Sequence, residues 1–275
     1  MSDQFPRGEG IPAQSPLYWV RQKDRYLRQL LIRDIEKATG RRLVVYFANR
    51  ELGVDVDINP QDPPYFAELF DDVGADEPVD LMLETSGGRT DSTEALVSFL
   101  KCNVKDFRVV VPSAAKSNGT LLALASSSIV MGATSELGPI DPHINGTPCN
   151  ILIDPQIAQT NLPLARLANN FIKQTQVLAR KLLSEGMMKD AGIDVINQTV
   201  HLLSTNDKFY SHGSVIDHNE AEQLGLKVTY MAPSEDVWKQ FWLLYCMYAF
   251  DARKDRLSKI FEGRSRSTSI SSNKV

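Results

Sequence analysis

The chain has 275 residues, 43% of them hydrophobic and 23% charged, and a formal net charge of -4 at pH 7. That length and apolar content suffice for a full core in one large domain or two small ones, and the mild acidity offers no general attraction to nucleic acid or anionic membrane. Three widely spaced cysteines, Cys102, Cys149 and Cys246, argue against a disulfide framework or a zinc knuckle, and no run of about 18 apolar residues suits a membrane span, so a cytoplasmic protein is expected.

In chain order, polar residues 1–15 carry no signal-peptide core and are expected to be disordered, with one folded domain over 16–262. Apolar residues at helical spacing between Pro16 and Gly40 predict an amphipathic helix. Leu43–Phe47 reads as a strand, Asn49–Pro64 as a long loop able to cover a site, and Tyr65–Phe70 as the start of a short helix. The strand from Val79 ends in Gly87-Gly88 and is followed by a helix over Ser92–Lys101. The strand Phe107–Pro112 then turns at small residues into the apolar helix after Ser117. This βαβα alternation predicts an α/β fold with a largely parallel sheet and right-handed crossovers.

Further on, Ser128–Met131 predicts a strand, Pro163–Met188 and Ala191–Leu203 two helices capping the sheet, and Asp217 a helix N-cap before a strand at Lys227–Thr229. A last helix from Ser234 to about Phe261 carries Trp238, Phe241, Trp242, Tyr245 and Tyr248, a density that fits either core or a subunit interface. The tail 263–275, basic and serine-rich with little apolar surface, is expected to be disordered.

The chemistry concentrates at Ser117. At a helix N-terminus free backbone N–H groups favour developing negative charge, which suits a nucleophile, although the same serine also fits a plain helix cap. Strand ends meet on one edge of a parallel sheet, so Gly87 and Gly88 can lie beside Ser117 and supply an oxyanion donor, with Asn118 N–H as the other. Four histidines are available as a base: His143, His201, His212 and His218. A desolvated Lys173 on the long helix is the competing base.

Thr85-Ser86-Gly87-Gly88, the turn Pro112–Thr120, Ile129–Gly132 and Leu137-Gly138-Pro139-Ile140-Asp141-Pro142 together resemble the serine dehydrogenase proteinase (SDH) family. That family is part of the Clp protease/crotonase-like superfamily, and the resemblance runs from about Arg42 to Val228. It implies a spiral α/β fold with an N-terminal helix, a parallel sheet and a helical cap. It also implies a serine peptidase acting through an acyl-enzyme on Ser117, with His212 as base and Asp141 as its orienter. Expected partners are a protein or peptide substrate, further copies in a homo-oligomer, and a separate ATPase or regulatory partner that feeds the enzyme. No cofactor and no catalytic metal are expected, since Gly-x-Gly-x-x-Gly, a phosphate-binding Gly-Lys-Ser/Thr loop and closely spaced His/Cys/Asp clusters are all missing from the sequence. The same fold can alternatively serve as a non-catalytic scaffold or as a crotonase-like acyl-CoA enzyme that needs no serine nucleophile.

Overall fold

The computed structural model describes residues 15–53, 55–74 and 76–272; the expectation for residues 1–14 lies outside them. The N-terminal apolar pattern forms two helices, α1 (Pro16–Arg21) and α2 (Lys23–Thr39), the second closed by Gly40 in the left-handed conformation. Then β1 (Arg42–Ala48), α3 (Asp62–Glu68), β2 (Val79–Glu84), α4 (Thr90–Asn103), β3 (Phe107–Val111) and α5 (Asn118–Leu124) follow the expected alternation. Beyond them lie the strand Ile129–Met131, the helices Leu162–Glu185 and Ile193–Ser204, the strand Val228–Tyr230 and the helix Asp236–Lys254. Asp217 caps the short helix His218–Gln223 by accepting the Glu220 N–H.

Among the described residues the sheet has seven strands, and five of them run parallel in the order β1, β2, β3, Ile129–Met131, Val228–Tyr230. Side chains alternate across a strand, so each central strand feeds two cores. Val44, Tyr46, Leu81, Leu83, Val109 and Val111 pack with α3, α4, α5 and the helix Leu162–Glu185. Leu43, Val45, Phe47, Met82 and Val110 pack with Ile32 and Ile35 of α2 and with Trp238, Phe241, Leu244 and Tyr248. Much of the aromatic density in the last helix is therefore core, leaving Trp242, Leu243 and Phe250 exposed.

Two expectations at the C-terminus are corrected. The last helix stops at Lys254, and Leu257–Gly263 crosses to the sheet as a strand antiparallel to β1, with Ile260 facing one core and Phe261 the other. The tail, expected to be disordered from 263, instead adds Ser267–Ser271 as an antiparallel edge strand. Main-chain hydrogen bonds hold that edge, and they require no apolar side chains, which is why composition misread it. Residues 273–275 lie outside the described residues.

Candidate active site

β2 and β3 are adjacent and parallel, so their C-terminal ends deliver two loops to one edge of the sheet. The β2 loop is held on both sides. Thr85 N–H donates to Ala114 O at 2.9 Å and Lys116 N–H to Thr85 O at 3.0 Å; on the other flank, Ile58 N–H donates to Gly87 O at 2.8 Å and Arg89 N–H to Ile58 O at 2.9 Å. The long loop between β1 and α3 thus reaches the site, as its length suggested. Gly87 and Gly88 have φ of 109° and 153°. A Cβ on Gly87 would lie 2.7 Å from Ser117 Cβ, and one on Gly88 only 2.3 Å from Ile58 N, so both positions require glycine.

Ser117 joins the β3 loop to α5 with φ 51° and ψ -117°, a sparsely populated backbone state for a non-glycine residue. The Gly119 N–H bond to Lys116 O at 2.7 Å and the Leu121 N–H bond to Ser117 O at 3.1 Å hold it there. Its hydroxyl makes no capping bond, so the plain helix-cap reading does not describe this serine. The neighbouring Lys116 turns away, donating to Leu137 O and Ser214 O and pairing with Glu136. Asn118 donates its side-chain amide to Gly88 O at 2.6 Å, tying the two loops together. Among the described residues the main-chain N–H groups of Gly88 and Asn118 donate to nothing, whereas Gly87 N–H is taken by Thr85 Oγ1 at 3.0 Å. Of the glycine pair, Gly88 therefore presents a free donor and Gly87 the close approach.

Two further segments close over this edge. Thr120 Oγ1 donates to Ala115 O at 2.7 Å and accepts Gly138 N–H at 3.0 Å, fastening the Gly-Pro-Ile-Asp-Pro loop to α5. Leu137 and Ile216 exchange main-chain hydrogen bonds, which draws the Ser211-His212-Gly213 turn beside that loop. Asp141, only 2% exposed, then lies 2.7 Å through Oδ1 from His212 Nδ1. A carboxylate only accepts, so Nδ1 carries the proton and the lone pair of the neutral ring is at Nε2. His143 Nδ1 donates to the Asp141 main-chain oxygen at 3.1 Å, and its ring centroid is 4.2 Å from that of His212. Burial, and then the neighbouring His212, hold the His143 pKa below the usual imidazole range.

Ser117, Gly88, Asn118, Asp141, His143 and His212 all line one cavity of about 860 Å³. Among the described residues no hydrogen bond joins the Ser117 hydroxyl to His212; such contacts commonly tighten only with substrate in place. The other base candidates lie apart: His201 pairs with Asp207, His218 stacks on Tyr230, and Lys173 is exposed on its helix.

Sequence reasoning missed the scaffold under these loops. Glu84, the last residue of β2, is buried, accepts Ala114 N–H at 2.9 Å and pairs with Arg50; burial pushes its carboxyl up to about 7. Lys259 and Asp62, both fully buried, pair at 2.7 Å, and Lys259 also donates to Asp57 O, pinning the residue before Ile58. Glu84 ends a largely apolar strand and carries no motif that marks its role, and Asp62 and Lys259 are 197 residues apart.

A family model for the ClpP-like SDH-type serine proteinase matches residues 69–249. The uncharacterized protein MJ0137 of Methanocaldococcus jannaschii is 32% identical over 168 residues, covering 58% of this chain and 56% of that protein. MJ1495, an uncharacterized protein of the same organism, is 24% identical over 214 residues, covering 74% of this chain and 71% of that one. The chain thus spans a little over half the length of the first of these relatives. Among solved structures, a ClpP1 mutant from Listeria monocytogenes aligns with a TM-score of 0.46 and 14% identity, covering 77% of this chain and 99% of that one.

Proposed function

Since the chain belongs to the ClpP-like SDH-type serine proteinase family, we propose that it is a serine peptidase that cleaves peptide bonds through an acyl-enzyme on Ser117. One observation carries the reading: an uncapped serine in a strained backbone state shares a cavity with a histidine whose far nitrogen is fixed by a buried carboxylate. In this scheme Ser117 Oγ attacks the scissile carbonyl carbon and His212 Nε2 takes its proton. Asp141 Oδ1 holds the ring in that tautomer and balances the imidazolium. Negative charge gathers on the carbonyl oxygen, where the Gly88 and Asn118 N–H groups receive it. His212 returns the proton to the departing amine, and water repeats the sequence on the ester.

The exposed apolar residues Trp242, Leu243 and Phe250 support a homo-oligomer. A protein or peptide substrate fits the cavity, and a separate ATPase or regulatory partner that delivers it remains part of the proposal. No helix of the described residues is long and apolar enough to cross a membrane; a cytoplasmic site of action is proposed. The test is a fluorophosphonate probe with the adduct mapped by mass spectrometry. An adduct on Ser117 is expected. A chain that takes no label yet binds partners would favour the scaffold reading, and one that binds a CoA thioester and keeps its activity in Ser117→Ala would favour the acyl-CoA reading.

A further inference from the structure

Residues 141, 143 and 212 bring two imidazoles and a carboxylate together, with ligand atoms all within 4.8 Å of one another. Two acceptors face each other in this cluster. Asp141 Oδ2 is buried with no hydrogen-bond partner among the described residues. Across from it, at 3.7 Å, lies His143 Nε2. Because His143 Nδ1 donates to the Asp141 main-chain oxygen, Nε2 of the neutral ring carries a lone pair, and a donor to a backbone carbonyl is the usual support for a metal-binding imidazole. Two lone pairs without a proton between them form a place for a cation.

The spacing fits one class of ion. Bonds of ~2.0–2.1 Å in a tetrahedral site put ligand atoms about 3.3 Å apart. The separations of 2.7 Å between Asp141 Oδ1 and His212 Nδ1 and of 3.7 Å between Asp141 Oδ2 and His143 Nε2, one from each carboxylate oxygen, lie on either side of that value. Two nitrogens and one oxygen suit zinc, cobalt or nickel, whereas calcium and magnesium select oxygen ligands.

We propose that Asp141, His143 and His212 bind a divalent cation of the zinc class, and that the bound ion shuts the serine site by engaging His212. Ligation through Nδ1 moves the ring proton to Nε2 and breaks the bond to Asp141; ligation through Nε2 occupies the lone pair that takes the serine proton. In both cases His212 can no longer act as base. The binding half stands on the cluster alone, while the inhibition half rests on the peptidase reading.

The two halves are read separately on the chelator-treated full chain. Cobalt(II) is titrated as a spectroscopic probe, with one equivalent expected to give the visible absorption of a tetrahedral site, displaced by zinc and unaffected by magnesium. Fluorophosphonate labelling of Ser117 is then followed against zinc concentration and is expected to fall at least tenfold at saturation. His143→Ala and His143→Gln should each raise the half-inhibiting zinc concentration at least tenfold and abolish the cobalt band. A band that is missing, or undiminished in both variants, overturns the site; full labelling with zinc saturating overturns the inhibition. If Ser117 takes no label even without metal, the peptidase reading has failed, and the cobalt band still decides the site.

Discussion

Replacing Gly88 by alanine asks more of the site than its single added methyl suggests. The new Cβ would lie 2.3 Å from Ile58 N, 2.4 Å from Ile58 O and 2.8 Å from Ile58 Cα, all backbone, and the residue has φ of 153°. Neither the Ile58 segment nor residue 88 can stay in place, because Arg89 N–H and Gly87 O are both bonded to Ile58. Backbone strain of this kind costs roughly 1–3 kcal/mol. Losing a correctly aimed oxyanion donor costs about 10²–10³ in rate. Gly88→Ala is therefore expected to lose about 1–3 kcal/mol in urea unfolding, yet to fall by about 10²–10³ in the second-order rate of fluorophosphonate labelling. Gly53→Ala is the control for a methyl added at a positive-φ glycine, since φ of 63° lies in the left-handed region that L residues reach at roughly 1–2 kcal/mol, and among the described residues no atom beyond its chain neighbours lies within 4 Å of the added Cβ. It should lose roughly 1–2 kcal/mol and label at nearly the wild-type rate. Wild-type labelling in Gly88→Ala, or an equal loss in Gly53→Ala, would refute the assignment of the Gly88 N–H.

Three further outcomes test the scaffold. Lys259→Met strands the Asp62 carboxylate in a fully buried pair and should cost about 3–5 kcal/mol by denaturant midpoint, with much of it recovered when Asp62→Asn is added. Glu84, with its carboxyl raised to about 7 against an ordinary 4.5, keeps its proton in the folded state over a range where the unfolded chain has released it. Its contribution is thus fully present below pH 4.5, is lost by about 3 kcal/mol as the pH rises to 7 and is flat above; Glu84→Gln should remove that slope from a series of melts. Truncation after Arg264 removes the edge strand Ser267–Ser271 and should lower the melting temperature, whereas a disordered tail would leave it unchanged.

The sheet was legible because its strands are long apolar runs separated by clear helical patterns, and the turn at Ser117 because small residues interrupt two such runs. Gly87, Gly88 and Asn118 were legible as neighbours of Ser117 from the rule that parallel strand ends share an edge. Asp141 and His212, 71 residues apart, were legible only through resemblance to a family, since no periodicity brings a Gly-Pro loop and a Ser-His-Gly turn together. The Leu137–Ile216 pairing that does so is a contact between main chains, and main chains leave no trace in composition. The same limit hid the final edge strand. His143 was legible as a candidate base, yet its approach to the Asp141 carboxylate depends on how the Gly-Pro loop folds back on itself.

The peptidase chemistry depends on activation of Ser117 by the Asp141–His212 pair. Its most direct measurement is the second-order rate constant for fluorophosphonate labelling of Ser117 in the wild type and in His212→Ala, with melting curves confirming that both are folded. A fall of roughly 10²–10⁴ is the expected result. A His212→Ala rate constant within threefold of the wild type, alongside loss of labelling in His143→Ala, would contradict it and move the base to the other imidazole.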